Sequence, residues 1–206
     1  MTQNDVQAEL EYLKTLAENG ARAPSIGGRF ALWWGTLTAI VLSLHWAIIT
    51  GVLSSIGLPL LGLWLGYIVI GSIGSFVLGQ SLRNKPGIGS AGNRHANAVW
   101  SAMGFAVMAF FFAILMSVLL GRLEPVMFNL MLPVALMGYG IGWISSAVMN
   151  RSLGDLVPGL VDLAGMAACL LFLTDPIVYL IAAITVFLSA SIPGAIQVAR
   201  EPKSVV

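Results

Sequence analysis

Residues 156–195 read LVPGLVDLAGMAACLLFLTDPIVYLIAAITVFLSASIPGA. An α-helix rises about 1.5 Å per residue, so it crosses about 30 Å of hydrocarbon in roughly 20 residues. The stretch is about twice that length and is interrupted at its middle by Thr174, Asp175 and Pro176. It therefore reads as two membrane helices, 156–173 and 176–195, joined as a tight antiparallel hairpin with Pro176 as a first helical residue.

Working back toward the N-terminus, four further apolar runs of spanning length follow the same rule. They cover 29–53, 56–79 (interrupted near its start by Pro59), 97–120 and 126–149. The fold class expected is an all-α membrane protein with six transmembrane helices over 29–197. Composition agrees, since 58% of the 206 residues are hydrophobic and only 9% charged, with a mean hydropathy of +0.90. A soluble domain carries about a quarter charged residues. The net charge of +1 leaves no basic face for nucleic acid. The lone Cys169 excludes a disulfide scaffold.

Lys and Arg collect in short cytoplasmic loops. With the N-terminus inside, Lys14, Arg22, Arg29, Arg83, Lys85, Arg94, Arg151, Arg200 and Lys203 fall on the cytoplasmic side and Arg122 alone outside. This predicts an N-in, C-in arrangement and an even number of spans. No basic stretch leads directly into a short apolar core and cleavage site, so the first span is expected to remain as structure.

Residues 1–28 are expected to form a short cytoplasmic helix and linker, and 198–206 a cytoplasmic tail. Asn4 is a candidate N-cap with Gln7 three residues on. Val6, Leu10, Leu13 and Ala17 share one helical face, while Asp5, Glu9, Glu11 and Glu18 outnumber Lys14 elsewhere. An interfacial helix normally meets anionic lipid with Lys and Arg. The reversed sign predicts contact with protein, either a partner or the chain's own basic loops.

A charge within the hydrocarbon costs at least about 2.5–3.5 kcal/mol on insertion scales, so each is a functional candidate. Asp162 leads, about six residues into the fifth helix and roughly 9 Å from its cytoplasmic end. Pro158 and Gly159, one turn earlier, are expected to loosen the backbone for water or an ion. The competing expectation is that Asp162 pairs with Arg151 or another cation at the cytoplasmic rim. His45 lies roughly 15 Å farther out, beside the interfacial Trp46, and His95 at the cytoplasmic mouth of the third helix. The two histidines are too far apart to share a haem. Met127 and Met131 have the MxxxM spacing of copper(I) sites, although Met is equally an ordinary gap filler. Gly87, Gly89 and Gly92 spell GxGxxG without the strand that a dinucleotide site requires. No metal site and no cofactor are expected.

Small residues at Gly62 and Gly66, at Gly71, Ser75 and Gly79, and at Gly138 and Gly142 predict close helix packing. The second and fourth helices would pack either within the bundle or across a homo-oligomer. Asn129, Ser145, Ser146 and Thr185 are candidates for interhelical hydrogen bonds. The segments GGRFALWWG (27–35), GYGIGW (138–143) and SIPGAIQVAREP (191–202) resemble stretches of small multi-pass inner-membrane proteins of bacteria. The resemblance implies that location and carries no activity.

Asp162, His45 and Glu124 lie on different segments at different depths, so the polar cluster an enzyme needs is not expected. The leading expectation is a membrane-embedded accessory, regulatory or assembly protein that docks a cytoplasmic or membrane partner through its N-terminal helix. The alternative is a small proton- or cation-coupled transporter or channel using Asp162.

Overall fold

The computed structural model describes residues 6–7, 9–12, 27–53, 59–83 and 88–201. Six helices are long and apolar enough to cross a membrane: Gly28–Ile49, Leu60–Leu82, Ala91–Leu119, Pro125–Asn150, Leu153–Leu171 and Val178–Ala199. The first three are labelled α1, α2 and α3. The fourth span opens with a 3₁₀ turn, Pro125–Leu130, and continues as α4, Met131–Asn150. Leu153–Leu171 is α5. The sixth span comprises α6, Val178–Val186, a π turn, Phe187–Ser191, and α7, Ile192–Ala199.

Helix boundaries follow local chemistry. Pro59, extended at ψ 141°, precedes α2 rather than interrupting it, and its carbonyl accepts the Gly62 amide at 2.8 Å. The expected start at Ile56 falls outside the described residues. α3 starts at Ala91, six residues before the expected Asn97, because Ser90 Oγ caps the Asn93 amide. Arg151, left-handed at φ 50°, reverses the chain after α4, and the Ser152 amide returns to the Ala147 carbonyl at 3.0 Å. α5 therefore begins at Leu153, three residues earlier than expected.

α1, α4, α5 and the sixth span form the interior, and glycines set their spacing. A Cβ on Gly159 of α5 would meet the Gly140 carbonyl of α4 at 3.1 Å, and one on Gly140 would meet the Gly159 carbonyl at 3.2 Å. On α1, Gly35 faces Ala190 and Ser191, and Gly194 of α7 seats against Leu32 and the Gly28 carbonyl. Lipid offers no hydrophobic drive between helices, so such close backbone contact supplies the association. Arg29 grips Glu201 with both carboxylate oxygens, the shortest bond being 2.8 Å. The first span thus begins at the same end of the bundle where the sixth finishes.

α2 and α3 are flanking helices that share no extended contact with each other among the described residues. The indoles of Trp34 and Trp33 lie over Gly71 and Gly74 of α2. Gly66 and Gly79, expected to pack helices, face open space among the described residues, and Gly62 is half-buried. The α2 stripe therefore seats two indoles rather than a neighbouring backbone. Gly138 and Gly142 do face another helix, through Met103 and Trp100 of α3.

Candidate functional site

The buried face of α5 carries Pro158, Gly159, Asp162, Gly165 and Cys169. Gly159 and Gly165 flank Asp162 at three residues on either side. Gly159 admits Ile144 and the backbone of α4, while Gly165 admits the Thr185 side chain of α6. Asp162, between the two glycines, is 0% exposed. It lies nine residues from each end of Leu153–Leu171, about 14 Å along the helix. The carboxyl group is thus near midspan, deeper than the expected six residues.

Among the described residues neither Asp162 oxygen has a hydrogen-bond partner. The expected pairing with Arg151 or a rim cation is not formed. Arg151 occupies the left-handed turn beyond α4 instead, eleven residues before Asp162. Ser189 Oγ faces the carboxyl group from the sixth span, is itself 0% exposed, and also lacks a satisfied bond. Trp143 Nε1 on α4 is a fourth buried polar side-chain atom without a partner among the described residues.

Ser189 sits within the π turn. Pro193 has no amide proton, so the Ser189 carbonyl loses its helical donor. The Ile192 amide bonds to the Phe187 carbonyl, five residues back, which deprives the Leu188 carbonyl as well. π turns of this kind recur at functional sites. α5 is continuous through Pro158, which withholds a helical donor from the Gly154 carbonyl. The change to π hydrogen bonding lies across the interface, in the sixth span. Phe187, at the start of the π turn, lines an open apolar groove of about 420 Å³ between α1 and α6, together with Thr36, Ile40, Ser43 and Ile184.

A second polar network lies nearer the other end of the bundle. Trp64 Nε1 donates to His45 Nδ1 at 3.1 Å, so that ring nitrogen carries no proton. The imidazole stacks on Tyr179 at a centroid distance of 3.8 Å. The Tyr179 hydroxyl donates to Asn129 Oδ1 at 2.6 Å, and Asn129 Nδ2 donates to the Leu173 carbonyl at 2.7 Å. His45 is 8% exposed and belongs to the interior rather than to an interfacial belt. This network ties α1, α2, the 3₁₀ turn and the sixth span together, and its members are satisfied where those of the Asp162 site are not.

The remaining candidates are dispersed. His95 Nε2 bonds Ser145 Oγ at 2.8 Å between α3 and α4. Ser146 and Thr185, expected between helices, bond to their own helices at Gly142 and Ile181. Met127 lies in the 3₁₀ turn and Met131 begins α4, so their spacing is not that of one helical turn. Val6 and Leu10 are helical and exposed, whereas Leu13 and Ala17 fall outside the described residues, as does Gly87. Comparison with known protein families, characterised proteins and solved structures finds no match for the chain.

Proposed function

We propose that the chain is a small proton- or cation-coupled transporter or channel of the bacterial inner membrane, oriented N-in and C-in, in which Asp162 is the coupling group. The observation that carries this reading is a carboxyl group at midspan, 0% exposed, with both oxygens unpartnered among the described residues. A buried charge left without partners costs several kcal/mol. Such a group persists where its charge is balanced by something that comes and goes. Coupling sites in transporters are commonly found near the bilayer midplane, beside irregular helix segments, which is the setting of Asp162 and the π turn.

Reconstituted protein tests the reading directly. Wild-type proteoliposomes should pass protons or monovalent cations above the rate of empty vesicles, and Asp162→Asn should bring that rate back to background while the protein stays folded. Equal flux in wild type and Asp162→Asn, or no flux above empty vesicles, would overturn it. The accessory reading rests on the exposed Val6 and Leu10. It requires that Leu10→Asp strip a copurifying protein from the native membrane without unfolding the bundle.

A further inference from the structure

We propose that Asp162 and the π turn form a binding site for a small, dehydrated monovalent cation such as sodium, liganded by the Asp162 carboxylate, the Ser189 hydroxyl and the Ser189 main-chain carbonyl. The inference rests on the coupling role assigned to Asp162 and names the ion.

The balance of donors and acceptors carries it. Asp162 Oδ1 and Oδ2 and Ser189 Oγ are buried and unpartnered among the described residues. The Ser189 carbonyl lacks its α-helical donor because residue 193 is proline, and it belongs to the same residue as the facing hydroxyl. The two carboxylate oxygens, the hydroxyl and that carbonyl thus make four oxygens against two unpartnered donors among the described residues, the Ser189 hydroxyl and the Trp143 indole N–H. A proton satisfies one oxygen. A cation satisfies all four at once, and hard oxygen ligands of this kind are those that alkali and alkaline-earth ions take. The charge decides between these two classes. Asp155, the next carboxylate along α5, lies seven residues away and bonds Asn150, so Asp162 is the one acidic group of the site. One carboxylate neutralises a monovalent ion, whereas a divalent ion would leave a net positive charge in the hydrocarbon. Tyr139 of α4 lies near Asp162, and as a phenol it brings no second negative charge. Unwound or irregular backbone that offers carbonyl oxygens to an ion is a general solution inside membranes.

A hydrophobic carbodiimide, which converts a protonated intramembrane carboxyl group to an N-acylurea, reads the site without knowledge of any transported solute. Full-length protein in sodium-free proteoliposomes is treated in choline, potassium or sodium chloride, and modification of Asp162 is quantified by peptide mass spectrometry. Asp162 should label in choline, and sodium should suppress labelling in a saturable manner. Ser189→Ala should raise the sodium concentration for half-protection by about tenfold, as expected for loss of one ligand to a charged partner. Pro193→Ala, which restores an amide for the Ser189 carbonyl, should raise it too. Concealment of Cys169 from a maleimide verifies that each variant is folded. Labelling that rises with acidity and ignores every monovalent cation would overturn the cation site and leave Asp162 as a proton-coupling group. Sodium protection unchanged by both variants would overturn the assigned ligands. An Asp162 that never labels, with ion flux unchanged in Asp162→Asn, would overturn this inference together with the coupling role.

Discussion

Replacement of Asp162 by alanine should make the folded protein more stable. The carboxyl group has two oxygens with no partner among the described residues at 0% exposure, and an orphaned buried polar group costs about 1–3 kcal/mol. In the unfolded reference α5 is still inserted, but its side chain is free to reach water or other partners. Truncation therefore relieves a penalty borne mainly by the folded state. Against this stands a void of roughly 20 Å³, which at about 24 cal/mol per Å³ costs about 0.5 kcal/mol. The net gain is about 0.5–2.5 kcal/mol, or about 1–10 °C in melting temperature for a chain of this size. Cys169 provides the assay, since it is the one cysteine of the sequence and 0% exposed. A fluorogenic maleimide reacts with it only when the interior opens. Melting should be followed in sodium-free buffer, because an ion bound to the folded wild type would raise its own melting point. Asp162→Asn should gain less, because an amide leaves new donors unpaired. A fall in melting temperature for Asp162→Ala would refute the reasoning, since it would mean that the carboxyl group makes a bond on which the fold relies.

Four further outcomes follow from the packing and are read by the same Cys169 melting assay. Gly165→Ala should destabilise by about 1–3 kcal/mol, because the new methyl group overlaps Thr185; Gly66→Ala, which faces open space among the described residues, should be neutral or stabilising by up to about 1 kcal/mol. Asn129→Ala should cost about 1–3 kcal/mol, because it strands both the Tyr179 hydroxyl and the Leu173 carbonyl. Arg29→Ala should cost about 0.5–1 kcal/mol, and the difference from wild type should shrink at high salt, since Arg29 is 30% exposed in its pair with Glu201.

The number of spans was legible because hydrocarbon thickness sets a length, and six apolar runs of that length are written in the chain. Their ends were less legible. Ser90 as a cap and Arg151 in a left-handed turn each lengthened a helix beyond its apolar run, because capping depends on single side chains rather than on hydropathy. Gly138 and Gly142 of one GxxxG spacing lie against the Met103 and Trp100 side chains, but the spacing passed over Gly140, Gly159, Gly165 and Gly194. A close approach requires small residues on two helices in register, and a one-chain motif does not contain the register. The π turn had a sequence signal that the reading left unused, namely Pro193 inside an apolar span.

Asp162 shows where the division falls. Its identity as the leading candidate came from the residue type alone, because a carboxyl group within an apolar helix is costly wherever it points. Whether it reached a rim cation or stayed alone was decided by tertiary structure. Gly159 and Gly165, on either side of it in sequence, admit α4 and α6, and the turn imposed by Pro193 brings Ser189 to face it. His45 illustrates the converse, since its neighbour Trp46 suggested an interface while packing placed it between Trp64 and Tyr179. The sequence by itself determined membrane class and span number, since both follow from the sum of apolar surface along the chain. Which polar groups are satisfied and which are left open depended on the meeting of residues far apart in sequence, and only the packed bundle brings those together.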